Sequence, residues 1–218
     1  MVDKNINVIS LNKNAWNNIA DYYNKHRKEL FEEPSILFAL FCDNLHKHSA
    51  VLDIGSGTGL PYTKLLVEKG YEVLGIDLSY NMVKIAQKNV PEAEFLQLSM
   101  TDLSYIEKFD GVFSSFSMLL LDPPTFRVVA KKIMRSLKKG GIFYLALNEP
   151  SQEGVDVDSE VFIEILGEKM YSRAYSEKEI REIFIPLGME LLDLHRKTFT
   201  SEIFGVEHTI TFIFKKIH

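Results

Sequence analysis

Val51-Leu52-Asp53-Ile54-Gly55-Ser56-Gly57-Thr58-Gly59 decides how this chain is read. An apolar run closes on an acid, three glycines follow at alternate positions, and an amphipathic helical pattern comes next. That order describes a buried strand, a sharp turn and the start of a helix. Glycine is needed where φ must be positive or where a ligand approaches the backbone closely. The spacing excludes two phosphate-binding loops. Gly-x-Gly-x-x-Gly fails because Leu60 follows Gly59, and no Gly-Lys-Ser/Thr completes a P-loop.

Working outward, Val73-Leu74-Gly75-Ile76 forms a second apolar run that ends in Asp77. An acid at the tip of the second strand can accept hydrogen bonds from both hydroxyls of a ribose. Asp-x-Gly-x-Gly-x-Gly followed by such an acid resembles the first motif of the class I S-adenosylmethionine-dependent methyltransferases. The resemblance implies an α/β, Rossmann-like three-layer sandwich. Its sheet would be seven-stranded and mostly parallel, with an antiparallel C-terminal strand and helices on both faces. One domain is expected, with 1–48 as a helical cap, 49–147 as the cofactor core and 148–218 as acceptor-side insertion and final strands. The implied cofactor is S-adenosyl-L-methionine, with S-adenosyl-L-homocysteine as product.

The remaining elements fit that frame. Trp16, Ile19, Ala20 and Tyr23 recur at helical spacing within a helix predicted over 13–29, preceded by a polar segment read as mobile or lid-forming. Ala20-Asp21-Tyr22-Tyr23 is similar to an Ala-x-x-Tyr segment of small-molecule methyltransferases, whose tyrosine closes over the methionine end of the cofactor. A second helix is expected over 36–46, with Pro34 near its start. Leu60 to Lys69 reads as a helix stopped by Gly70. By resemblance its positive N-terminal end faces the cofactor's carboxylate.

Ser79 reads as the N-cap of a helix through Lys88. Met82 in that helix suits either an adenine face or the core, and Leu78 follows the ribose acid. Strand three covers 95–98 and leads into Ser99-Met100-Thr101-Asp102. By family pattern the place of Ser99 is usually an Asp that binds the adenine amino group. A serine hydroxyl accepts more weakly, and Asp102 is an alternative.

Phe109-Asp110-Gly111-Val112 opens strand four and resembles the fourth family motif, with Ser115 and Phe116 bordering the reacting end. Asp122-Pro123-Pro124 superficially resembles a motif of nucleic-acid amino methyltransferases, but it is displaced from the strand and Thr125 replaces an aromatic. An N-cap with proline at N1 explains the same residues. That helix is expected to reach Lys138, with Gly140-Gly141 turning into strand five over 142–147. After an acidic loop over 148–160, Ser176-x-x-Glu179 is a capping box for a helix ending near Gly188. Residues 190–195 and 208–214 alternate as an antiparallel pair.

Composition bounds the partners. The chain has 218 residues, 46% of them hydrophobic and 25% charged, with a formal net charge of −5. That argues against nucleic acid as the main partner, since phosphate binding requires a basic surface. Cys42, the only cysteine, lies beside an apolar run and reads as a buried thiol. His46 and His48 have no companion ligands, so no metal set is read. No signal peptide or membrane-length apolar run is found, which points to the cytoplasm.

The acceptor is expected to be a small molecule, with monomer and homodimer both open. His26 and Glu149 are positional candidates for a general base; His195 and His208 lie far in sequence from the expected site. Phe162, Tyr171 and Tyr175 are candidates for an apolar acceptor wall. Cofactor-binding candidates are thus Tyr23, Asp53, Gly55, Ser56, Gly57, Gly59, Asp77, Leu78, Met82, Ser99, Met100, Ser115 and Phe116. A nicotinamide oxidoreductase is disfavoured by Leu60. A non-catalytic cofactor-binding module is the alternative, because no catalytic base is identifiable; a protein or nucleic-acid methyltransferase is a further, less favoured one.

Overall fold

A computed structural model describes residues 7–26, 36–151, 161–201 and 205–218. Glu29, Pro34 and most of the acidic loop after strand five lie outside the described residues. In chain order the elements begin with α1 (Val8–His26), α2 (Ile36–Asp43), β1 (Ala50–Ile54), α3 (Tyr62–Glu68) and β2 (Glu72–Asp77). They continue with α4 (Tyr80–Asn89), β3 (Glu94–Gln97), β4 (Phe109–Ser115), α5 (Pro123–Ser136) and β5 (Leu137–Asn148). The last are β6 (Phe162–Ile165), β7 (Glu168–Tyr171), α6 (Glu177–Phe184), β8 (Met189–Ser201) and β9 (Gly205–Lys216).

Seven strands form one sheet in the order β3-β2-β1-β4-β5-β9-β8. The first five are parallel, and β9 runs antiparallel to both β5 and β8. Strand order reverses between β1 and β4. Open α/β sheets bind ligands in the crevice at such a reversal, beyond the carboxyl ends of the strands.

The central strands are continuous apolar runs because helices cover both of their faces. On one face Phe113, Tyr144 and Ile213 pack against Leu37, Phe38 and Phe41 of α2. Phe113 and Tyr144 stack with centroids 4.2 Å apart. On the other, Phe143, Phe212 and Phe214 meet Phe126 of α5 and Phe184 of α6. Fully burying one such side chain contributes about 1.5–3 kcal/mol, so the sheet's two faces carry much of the stability.

Local signals set the element ends. Asp122 Oδ1 accepts from Thr125 N at 2.8 Å, with proline in the first helical turn, so Asp-Pro-Pro is a helix cap. The Ser176–Glu179 capping box forms, and left-handed Gly188 follows a short 3₁₀ turn after α6. Helix α1 starts at Val8 rather than Lys13, because Asn7 Oδ1 accepts from Ser10 N at 3.0 Å and caps it. Helix α2 ends at Asp43, short of the expected His46, and Asn44 Nδ2 donates to Leu40 O at 2.9 Å across its last turn. Strand β5 begins at Leu137, before the double glycine, and shifts register there against β4.

The pair β6–β7 was not read from sequence. It forms a hairpin through Leu166 and Gly167, both at positive φ. Two-residue hairpin turns normally advertise themselves with Asn or Asp before the glycine, and leucine conceals this one.

Candidate functional site

The glycine loop is tied to the neighbouring strand by backbone hydrogen bonds. Gly55 N and Ser56 N donate to Ile76 O at 2.8 and 3.0 Å. Beyond it, Asp77 Oδ2 accepts from Gly57 N at 3.0 Å and Oδ1 from Ser79 N at 2.8 Å. Each carboxylate oxygen can accept more than one hydrogen bond, which leaves both oxygens able to receive a diol. Burial raises the Asp77 carboxyl to about 6, against the pull of those N–H groups. Ser79 Oγ accepts from Met82 N to cap α4 and donates to Asn17 Oδ1 of α1 at 2.7 Å.

A cavity of about 200 Å³ opens along this edge. Gly55, Gly57, Asp77, Leu78 and Met82 line one part of it. Ser99, Met100, Ser115, Phe116 and Tyr23 also face it. Asp53, Ser56 and Gly59 lie behind the wall. Asp53 accepts from Thr63 Oγ1 at 2.5 Å, and a Cβ added at Gly59 would stand 3.1 Å from both Phe95 and Val90. Ser56 Oγ lies beside Gly75.

Ser99 caps the 3₁₀ turn at Met100–Asp102, accepting from Thr101 N at 3.2 Å and pairing with Thr101 Oγ1 at 2.7 Å. Part of its hydrogen-bonding capacity is thus used locally. Asp102 is exposed and not among the lining residues, so it does not reach in. Phe116 holds a φ of +53°, unusual for an aromatic residue and costly without surrounding support. Its N–H donates to Ala146 O at 3.0 Å, which helps fix that conformation at the cavity wall.

Both motif acids sit in low-dielectric surroundings. Burial raises Asp53 to about 7, with Thr63 opposing and Asp77 adding to the rise. Both pKa values lie above the ordinary 3.8, so the folded state holds protons that the unfolded chain releases. Their contribution to stability therefore falls as pH rises from about 4 to 7. Thermal melts should show Asp53→Asn flattening this dependence, whatever its constant offset.

The far part of the cavity is built by elements around the sheet's edge. Helix α1 contributes Ile9, Asn12, Lys13 and Trp16; the turn after β4 adds Leu119, Leu120 and Leu121. Ile163, Ile165 and Ser172 come from the β6–β7 region. The expected wall of Phe162, Tyr171 and Tyr175 is not among the lining residues. Strand residues alternate between faces, so Ile163 and Ile165 take the inward role beside Phe162. Tyr175 is buried, and its hydroxyl donates to Leu121 O at 3.0 Å.

Neither positional base candidate lines the cavity. His26 stacks on Tyr22, and Glu149 pairs with Arg196 at 2.7 Å. The carboxyl at this end is Glu207 of β9, with Asn148 of β5 donating to its Oε2. Its sequence offered no motif; only the length of the final hairpin brings it there.

Asn12 fastens the roof. Its Nδ2 donates to Leu120 O at 2.9 Å and Tyr171 O at 3.0 Å, while its Oδ1 accepts from Tyr171 N at 2.8 Å. One side chain therefore joins α1 to both the post-β4 turn and β7. Losing these bonds and leaving their buried partners unpaired costs about 2–3 kcal/mol. Asn12→Ala should lower the urea midpoint accordingly with little change in slope.

Residues 51–141 match the family model of a methyltransferase domain. The chain is also 29% identical over 202 residues to a malonyl-[acyl-carrier protein] O-methyltransferase of Hamiltonella defensa, covering 88% of this chain and 73% of that protein. Residues 51–141 thus match a methyltransferase domain, and over most of its length the chain is similar to methyltransferases. Other curated relatives, at 27–38% identity, align over only 29–49% of their own length.

A solved S-adenosylmethionine-dependent methyltransferase of Methanosarcina mazei superposes with a TM-score of 0.72 at 19% identity, covering 85% of this chain and 99% of that one. A 1,6-didemethyltoxoflavin-N1-methyltransferase of Burkholderia thailandensis gives 0.70 at 19%, covering 93% and 87%. That structure contains 1,6-didemethyltoxoflavin and S-adenosylhomocysteine. These structural likenesses concern the fold.

The cavity's chemistry fits the methyltransferase cofactor. Asp77 offers acceptor capacity for a ribose diol, and Gly57 has φ +54° with no atom within 4 Å of where a Cβ would stand. The latter leaves space beside the backbone on the cavity wall. No helix among the described residues is long and apolar enough to cross a membrane.

Proposed function

We propose that this chain transfers a methyl group from S-adenosyl-L-methionine to an O, N or C nucleophile of a small molecule, leaving S-adenosyl-L-homocysteine. The observation that carries this reading is one cavity reaching from Asp77 and the glycine loop to a largely apolar chamber roofed by α1. In this reading Asp77 receives the ribose hydroxyls while Gly55 and Gly57 let the cofactor approach the backbone. Leu78, Met82 and Met100 flank the base, and Ser99 lies at its edge. Tyr23, Ser115 and Phe116 border the methionine and reacting end. Behind the wall, Asp53, Ser56 and Gly59 shape the loop.

The bound cofactor supplies a methyl already activated by its sulfonium. The chain's contribution is then to orient the acceptor and exclude water; positioning can supply about 7–11 kcal/mol of the barrier reduction. Enclosure beneath α1 and the net charge of −5 favour a small acceptor over nucleic acid. Residues 1–48 serve as cap, 49–147 as cofactor core and 148–218 as acceptor side within one domain.

Calorimetric titration with S-adenosylmethionine, S-adenosylhomocysteine and NADH tests the reading. Micromolar binding of the first two alone is expected, with a change in emission from Trp16, the single tryptophan, on the cavity wall. Binding of NADH alone would overturn it.

A further inference from the structure

We propose that Glu207, held by Asn148, recognises the acceptor, and that this acceptor is a largely apolar small molecule presenting an O–H or N–H group. The inference rests on the methyltransferase reading and adds the chemical class of the second substrate.

Register places the pair. Ser115 of β4 is level with Ala146 of β5, and Asn148 lies one alternation further along the same face. Asn148 pairs with Thr209 of β9, and Glu207 lies two residues beyond Thr209 in the same outward direction. Ser115, Asn148 and Glu207 therefore share one face and step away from the expected reacting end toward the outer chamber. A two-residue step along a strand is about 7 Å, within the span of a small ring system.

The surroundings define what Glu207 can recognise. Phe199 is its direct cross-strand partner and also lines the cavity. Ile9, Leu120, Ile163 and Ile165 contribute further apolar wall. Asn148 donates to Oε2, while Oε1 makes no hydrogen bond to a described residue. A carboxylate oxygen among apolar side chains selects a donor, because a ligand without one leaves it desolvated and unpaired. Burial raises the Glu207 carboxyl, while Asn148 and the nearby His208 favour its charged form.

Paired probes test this without knowledge of the natural acceptor. Phenol is compared with anisole, and 1-naphthol with 1-methoxynaphthalene, by calorimetry with and without S-adenosylhomocysteine. In the unmodified protein the hydroxyl member of at least one pair should bind fivefold or more tightly than its methyl ether. Glu207→Ala should bring that ratio within twofold, and Glu207→Gln should lower it at least twofold while preserving side-chain volume. Melting curves check that both variants fold. Equal affinity within both pairs, a preference surviving in Glu207→Ala, or no binding by any probe would overturn the proposal. Absent S-adenosylhomocysteine binding with an intact Glu207-dependent preference would instead overturn the cofactor reading.

Discussion

Gly55→Ala is expected to destabilise the protein by about 2–5 kcal/mol, combining left-handed backbone strain with forced overpacking. Gly55 has φ +70°, and an added Cβ would stand 2.3 Å from Ser117 Cβ and 2.9 Å from Ser117 Oγ. Ser117 has little room to yield. It is buried, donates to Ile54 O at 2.6 Å and pairs with Ser114 Oγ at 2.9 Å. The contact thus presses the first glycine turn against the turn after β4, the two connections flanking the strand-order reversal.

For a domain of this size the melting temperature should fall by about 5–15 °C. Ser117→Gly in the same chain removes the clashing side chain but leaves the φ strain, so a double-mutant cycle should recover part of the loss. A Gly55→Ala variant melting within 2 °C of the parent would contradict this packing.

The same loop shows what sequence could and could not disclose. Apolar runs closing on an acid placed β1 and β2, because a parallel sheet buried on both faces writes itself as continuous hydrophobic residues, and the resemblance of Phe109-Asp110-Gly111-Val112 to a family motif placed β4. Asp122 and Ser176 were readable as caps because short polar side chains meet unpaired helix N–H groups at fixed offsets. Asn12, Asn148 and Glu207 carried no comparable signal. Their partners are 108 and 159 residues away for Asn12 and 59 away for the Asn148–Glu207 pair. Nothing in a local window ties such residues together. The expected aromatic wall does not line the cavity for a related reason: aromatic identity suggests Phe162, but strand phase gives the lining to Ile163 and Ile165.

The second large effect concerns ligand binding rather than stability. Gly57→Val should abolish measurable S-adenosylhomocysteine binding, with an affinity loss of at least 100-fold. At Gly57 a Cβ meets nothing within 4 Å, unlike the crowded Gly55, so the protein itself does not exclude a side chain there. The folding penalty is chiefly the strain of φ +54° on a branched residue, of order 1–3 kcal/mol. The added methyl groups enter the space assigned to the cofactor.

Asp77→Ala separates this steric effect from recognition. It leaves the space open but removes the acceptor for Gly57 N and Ser79 N, and with it the acceptor proposed for the ribose. Losing one or more hydrogen bonds should weaken S-adenosylhomocysteine by about 1–3 kcal/mol, or roughly 5- to 150-fold. Melting curves and calorimetry on both variants distinguish the two causes. If both remain folded and bind as the parent does, Asp77 and Gly57 are not at the cofactor and the cavity must be occupied in another way.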